Sequence, residues 1–184
     1  GRQQENRENW IGKLLDQADE YVDAINWHQY EYLRIEECHR YEEDARLVKD
    51  MLATRGDGVA DELIIMTETN QHGGPPTRWQ CQDTFYGARW WSGSLLAALR
   101  GGMDMIHFYQ LMDDTPGSYN YKGMLYNDGP YDPPLFPGGP PHGRKPVYDA
   151  TKFINENRLF NVVSSASNHP DVAHLATVND DYST

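Results

Sequence analysis

The chain lacks long apolar runs and is poor in positive charge. No apolar stretch among its 184 residues approaches the roughly 20 residues that a membrane-spanning helix needs. Lys and Arg total 16 against 28 Asp and Glu, which gives a net charge of −12. This acidic balance disfavours nucleic acid and anionic membrane surfaces as partners. We therefore expect neither nucleic acid nor a membrane among its partners.

Cysteine is scarce, and compact metal-binding motifs are missing. Two cysteines do not fix the redox compartment. A buried free thiol is the expectation for Cys38, on the apolar stripe of a predicted helix, while Cys81 lies in a predicted loop. The histidines are scattered and form no motif such as H-E-x-x-H. A metal-dependent enzyme using Glu68, His72 and His107 is therefore a minor alternative, and we expect no metal and no other cofactor.

An initiator Met and a signal peptide are missing as well. Residues 1–20 read as a polar helix with one apolar stripe, so the chain opens inside an element. The stripe consists of Trp10, Ile11, Leu14, Leu15 and Ala18. We therefore expect a longer parent protein.

Three apolar runs, each followed by polar or aromatic residues, recur at a spacing of about forty residues. They are Ala24–His28, Ile64–Met66 and Met103–Tyr109. Residues 31–54 and 84–100 lie between them and carry apolar residues at helical spacing. The first stripe is Ile35, Cys38, Ala45, Val48 and Leu52, and the second is Phe85, Ala88, Ser92, Leu95 and Leu99. Alternating strands and helices predict an α/β fold with parallel strands, whose following loops gather at one end of the sheet.

Glu68 closes the middle run and is the first candidate for chemistry. The run reads as a buried parallel strand that ends in one carboxylate followed by polar residues. Enzymes built on a (β/α)8 barrel place catalytic groups at the carboxyl ends of the strands. For this peptide alone, the competing interpretation is a polar cap at the end of a strand.

The last third of the chain changes in texture. Residues 115–144 carry most of the Pro and Gly and read as a long loop, and long ordered loops are usually functional. Pro146 fits the first turn of a helix that extends to about Leu159. Short β-like runs follow at residues 162–163 and 174–178. We therefore place one unit at residues 1–160 and the start of a β-sandwich-like region at residues 161–184.

Several peptides of the chain form one ordered pattern, namely Asp23–Tyr30, Met66–Asn70, His107–Asp113, Gly123–Leu125 with Asn127–Gly129, and Lys145–Ala150. Together they resemble the second half of a retaining glycoside hydrolase of clan A. Within that clan they most resemble glycoside hydrolase family 39, the β-xylosidase and α-L-iduronidase group. The resemblance spans about residues 20–160. It implies strands six to eight of a TIM barrel at residues 21–30, 62–68 and 103–110, with a closing helix at 146–158.

The same resemblance implies the chemistry. The nucleophile of the clan, at the end of strand seven, falls on Glu68, and an ionised carboxylate there can form a glycosyl ester that water later displaces. The general acid/base follows an Asn at the end of strand four, which this chain does not contain. The missing first half of its own barrel is thus an expected partner, and the 184-residue segment alone is expected to be inactive.

Further residues acquire softer roles around Glu68. His28 and Tyr30 are candidates to hold the nucleophile or a sugar hydroxyl. Tyr109 stands where the clan often carries a Trp platform, and an aromatic face suits a pyranose ring. The other candidates for substrate binding are Asn70, Trp79 and Asp113, with His72 and Asp114 as weaker ones. For each of these residues the alternative is a purely structural role, as part of a buried polar network, as a core aromatic or as a solvated loop residue.

The resemblance implies a carbohydrate substrate, and secretion or a periplasmic location is expected from where such substrates lie. Two alternatives stay open. One is another clan A family, such as an endo-acting agarase or porphyranase type, and an open cleft would favour this alternative. The other is a barrel that keeps Glu68 but binds or scaffolds polysaccharide without hydrolysing it.

Overall fold

The molecule is a mixed α/β structure around a three-stranded parallel sheet. The computed structural model describes residues 2–18, 21–30, 32–55, 62–71, 84–113, 122–126, 143–157, 161–167 and 174–179. The strands of the sheet are β1 (Ala24–Gln29), β2 (Leu63–Thr69) and β3 (Met105–Phe108). The helices are α1 (Arg2–Ala18), α2 (Arg40–Ala53), α3 (Phe85–Arg100) and α4 (Pro146–Asn157). Two short strands, β4 (Asn161–Val163) and β5 (Ala176–Val178), form a separate antiparallel pair.

The sheet has the order β1-β2-β3, and both pairings are parallel. The predicted alternation of strand and helix is therefore confirmed for this part of the chain. Parallel neighbours need a crossover between them, and the segments containing α2 and α3 supply it. A complete barrel stays a prediction.

The two faces of this sheet differ in burial. The face toward the helices is apolar and closed, and it carries Ile25, Trp27, Ile64, Met66 and the partly buried Phe108. The opposite face leaves Asn26, His28, Met105 and His107 exposed. Burial of the first face against the helices contributes to the hydrophobic stabilisation of the described core.

Helix α2 begins later than the sequence pattern predicts. We expected a helix from residue 31, but residues 32–34 lead into a short 3-10 helix at Ile35–Glu37 before α2 starts at Arg40. The apolar stripe is nevertheless correct, because Cys38, Ala45, Val48 and Leu52 are all buried. Cys38 is a free thiol, which confirms that prediction.

Helix α3 is buried on several sides, since it packs against α2, α4 and the sheet. The Thr84 hydroxyl caps its first turn by accepting from the Tyr86 N–H, which explains why the helix starts at Phe85. Trp90 and Trp91 are buried within this layer. The Trp91 ring donates through Nε1 to the Thr151 hydroxyl at 2.8 Å, which links α3 to α4.

Only part of the stripe predicted for the first helix packs inward. Ile11 and Leu15 are buried in the core, whereas Trp10 and Leu14 are exposed. The reason is that α1 contacts chiefly α2, so only one side of the stripe has a packing partner among the described elements. Among the described residues, no helix combines the length and apolar character required to cross a membrane.

Candidate active site

Glu68 reaches the open face of the sheet because β2 contains a bulge. Trp27 pairs with Met66, but the next residue of β1, His28, pairs with Glu68, so β2 carries one extra residue there. The same extra residue appears against β3. Strict alternation would turn Glu68 to the same side as Ile64 and Met66, toward the helices. The bulge re-aims the carboxylate to the other side of the sheet.

Two side chains from the preceding strand region hold the two oxygens of this carboxylate. His28 Nδ1 lies 3.1 Å from Glu68 Oε2. The Tyr30 hydroxyl donates to Glu68 Oε1. His28 and Tyr30 are therefore brought to Glu68, as the sequence analysis expected, and together they fix the orientation of the carboxylate.

The carboxylate stays accessible while it is held. The Glu68 side chain is 27% exposed and His28 57% exposed, so a ligand on the open face can approach both. A carboxylate that accepts a hydrogen bond on one oxygen, lies close to an imidazole nitrogen on the other and faces solvent is suited to accept a proton, attack an electrophilic carbon or bind a polar ligand.

Tyr109 and Lys122 form the surroundings of Tyr30. The Tyr109 ring meets the Tyr30 ring edge-on, with centroids 6.5 Å apart. The buried Lys122 places Nζ 5.7 Å from the centroid of the Tyr30 ring. Tyr109 is only partly buried, which leaves it available as a ligand platform beside Glu68. The peptide bond between Tyr109 and Gln110 is cis.

Asn70 lies directly after β2 but is buried. Its amide nitrogen donates to the carbonyls of Tyr109 and of Lys122, the latter at 3.1 Å. Its side-chain oxygen accepts from the Gln71 N–H at 2.6 Å. These contacts tie the end of β2 to the end of β3, so Asn70 shapes the floor of the site, while its direct contact with a substrate stays a prediction.

Asp113 is also buried and takes part in an ion pair. Its Oδ1 accepts from Lys145 Nζ at 2.7 Å and from the Gly123 N–H at 2.7 Å, and both charged side chains have 0% exposure. Gly123 is required there, because a Cβ would lie within 2.3 Å of the backbone of Met112 and Asp113. The pair joins the segment after β3 to the start of α4, and substrate binding by Asp113 stays a prediction.

The remaining candidates do not join this cluster in the described structure. Trp79, His72, Asp114 and Cys81 lie outside the described residues. His107 is exposed on β3. Within the described part of the chain, no three His, Cys, Asp or Glu side chains are placed to hold a metal ion.

A set of buried hydrogen bonds behind the site was not predicted from the sequence. The Thr69 hydroxyl donates to the Gln29 carbonyl at 2.7 Å and lies 2.8 Å from the Tyr41 hydroxyl, which must therefore be the donor. Burial raises the pKa of Tyr41, so this phenol stays protonated and keeps its donor role. Gln29, Tyr41 and Thr69 belong to three separated segments, so no local motif could have grouped them.

No family model matches the sequence, and no curated protein matches it. A function for this chain is therefore inferred from the geometry around Glu68 and from the resemblance of the peptides described above.

Proposed function

We propose that this chain is part of a retaining glycoside hydrolase in which Glu68 is the nucleophile. The observation that carries the proposal is a partly exposed carboxylate at the carboxyl end of a central parallel strand, held on one oxygen by His28 and on the other by Tyr30. The hydrogen bond from Tyr30 and the contact with His28 fix the direction of the carboxylate, which is suited to act as a nucleophile. This is the arrangement that attack on an anomeric carbon requires.

The reaction that follows has two steps. Glu68 attacks the anomeric carbon and forms a glycosyl ester while the bond to the leaving oxygen breaks and a general acid protonates that oxygen. Water, deprotonated by the same group acting as base, then cleaves the ester and releases the sugar with its original anomeric configuration. In retaining enzymes the second carboxyl group lies about 5 Å from the nucleophile. We propose that this group comes from a preceding βα unit of the same barrel.

Tyr109 is proposed to lie against the sugar ring in the subsite where attack occurs. Its ring is partly buried and meets Tyr30 edge-on, so its position relative to Glu68 is fixed through a shared neighbour. A pyranose presents C–H groups that suit an aromatic face.

The decisive test is to trap the glycosyl ester. The natural polypeptide that contains residues 1–184 is incubated with a panel of activated 2-deoxy-2-fluoroglycosides, and the peptides of the inactivated protein are analysed by mass spectrometry. We expect one fluorosugar on the peptide containing Glu68 and none in the Glu68→Gln variant. A sugar ester on a different carboxylate, or binding of saccharide with neither turnover nor labelling, contradicts the proposal and favours a polysaccharide-binding role.

A further inference from the structure

A polar groove lies between helices α2 and α3 and the β4 region. It has a volume of about 500 Å³. Its walls are Glu42 and Arg46 of α2, Arg100 of α3, residues 162–167 and His174. We call it the arginine groove. None of these residues contacts Glu68, His28 or Tyr30 in the described structure, so the groove is separate from the candidate active site.

Among the described residues that line this groove, positive charge exceeds negative charge. Arg46 Nη2 lies 2.6 Å from Glu42 Oε1, and Arg100 Nη2 lies 2.6 Å from Glu42 Oε2. Two guanidinium groups thus share a single carboxylate, while the other lining residues that the structure describes are neutral or histidine. A local excess of one positive charge is notable in a chain with a net charge of −12. Anionic ligands are therefore attracted to this groove rather than to the surrounding surface.

Arg100 is held rigidly at the back of the groove. Its Nε also donates to Glu42 Oε2 at 2.8 Å, and its Nη1 donates to the His174 carbonyl at 3.0 Å. His174 Nε2 lies 3.1 Å from the Ser165 carbonyl and must carry the hydrogen, which leaves Nδ1 to face Arg100 Nη1 at 3.4 Å. These contacts fix the wall before a ligand arrives, and preorganisation lowers the entropic cost of binding.

Arg46 supplies the donors that a ligand needs. Its side chain is 64% exposed, and in the described structure its only polar contact runs from Nη2 to Glu42. A guanidinium carries five N–H donors in a planar fork that matches the spacing of oxyanion oxygens. Ser164 and Ser167 add exposed hydroxyl-bearing residues to the opposite wall.

We propose that the arginine groove binds a small oxyanion, such as sulfate, phosphate or a carboxylate. Arg46 provides the outward-facing fork, and Arg100 supplies the fixed positive charge behind it. Sulfate, phosphate and carboxylate groups share the negatively charged oxygen atoms that this geometry would recognise. The proposal does not depend on hydrolase activity at Glu68.

The test titrates the natural polypeptide that contains residues 1–184 with sodium sulfate, phosphate or acetate at constant ionic strength set by sodium chloride. The readout is the backbone amide shifts of residues 162–167 and His174 by NMR. We expect saturable shifts with at least one anion. Response to sulfate and phosphate alone indicates a tetrahedral ligand, and response to acetate as well indicates that carboxylates also fit; both results support the site.

Two matched variants separate a site from general charge attraction. Arg46→Gln removes the exposed fork, and we expect binding to weaken about tenfold, as for the loss of one charge-assisted hydrogen bond. Arg89→Gln removes the same charge from an exposed position of α3 outside the groove, and we expect no change. Circular dichroism checks that both fold. Absence of saturation with all three anions, or equal weakening in both variants, overturns the proposal.

Discussion

At the scale of single residues, the distinctive feature is a carboxylate held from both sides yet open to solvent. His28 and Tyr30 each contact one oxygen of Glu68. A hydrogen bond to a charged group contributes about 1.5–3 kcal/mol, so the Tyr30 hydroxyl matters for the orientation of the carboxylate. Substitution of Glu68 should therefore lower the reaction rate more than substitution of one of its partners.

We predict that Glu68→Gln in the natural polypeptide lowers kcat on the order of 10⁴-fold or more, as expected for loss of a nucleophile. Tyr30→Phe should lower kcat/KM about 10- to 100-fold, because the carboxylate loses one charge-assisted hydrogen bond. Both are measured with an activated aryl glycoside that the wild type cleaves. Glu43→Gln and Tyr21→Phe, at exposed positions, serve as controls. Wild-type rates in Glu68→Gln would rule out the nucleophile assignment.

Cys38 provides a pH-dependent prediction. Burial raises the pKa of this thiol from its ordinary 9.0 to about 11. Below the ordinary pKa, the thiol keeps its proton in both the folded and the unfolded chain. Between the two pKa values only the unfolded chain loses the proton, so the free energy of unfolding decreases as pH rises. The contribution of this thiol to the free energy of unfolding should therefore fall by about 2–3 kcal/mol between the two pKa values.

The measurement is urea unfolding of the wild type and of Cys38→Ala at a series of pH values from neutral to about 11. The difference between their free energies of unfolding isolates Cys38, because the other titrating groups, including the buried Tyr41, are common to both. A difference that stays constant with pH would show that this thiol is not protected in the folded state.

At the scale of elements, the ion pair of Asp113 and Lys145 joins the segment after β3 to helix α4. Both side chains have 0% exposure, so removing one partner leaves a buried charge without its counterion. We predict that Lys145→Met lowers the free energy of unfolding by about 3–5 kcal/mol. The double variant Asp113→Asn/Lys145→Met should recover part of the loss, since Asn keeps an acceptor for the Gly123 N–H.

Chemical denaturation of the wild type, both single variants and the double variant forms a cycle that measures this coupling. Strictly additive losses would show that the pair does not act as a unit. If Asp113 instead contacts substrate, Asp113→Asn would change KM while leaving stability close to that of the wild type. The experiment thus decides between a structural role and the substrate-binding role predicted from sequence.

The elements themselves were largely predictable, because their signals are local. The Thr84 cap, Pro146 at the first position of α4 and the stripe through Val48 mark helices within a few neighbouring residues. The late start of α2 was not predictable in this way, because the helical periodicity extends into residues that form a 3-10 turn. Exposure of Trp10 likewise depends on which helices lie beside α1, which no local pattern records.

The candidate site was predictable only in part. The position of Glu68 at a strand end, with His28 and Tyr30 near the end of the preceding strand, follows from sequence spacing and parallel pairing. The burial of Asn70 and Asp113 does not, because it results from contacts with Lys122, Gly123 and Lys145 in distant segments. Polar residues after strands read alike in sequence whether they face a ligand or a backbone carbonyl.

At the scale of the whole molecule, Arg100 connects the helical layer to the β4–β5 pair. It bridges Glu42 of α2 and the carbonyl of His174. We predict that Arg100→Gln accelerates hydrogen exchange of the β4 and β5 amides about tenfold, while those of β1 and β2 change little, because the lost contacts concern only this junction. Mass spectrometry or NMR measures the exchange, with Arg89→Gln as control. A uniform acceleration throughout the chain would show that Arg100 supports global stability instead.

The bulge in β2 has a consequence for how this sheet tolerates insertion and deletion during evolution. The two halves of the strand alternate in opposite phase, with Met66 buried in one and Thr69 in the other. Loss of Thr67 would merge the two phases and still leave Glu68 on the open face opposite His28. Loss of Ile65 would instead turn Met66 out of the core. Thr67 is thus a position where the chain can change in length while the carboxylate keeps its direction.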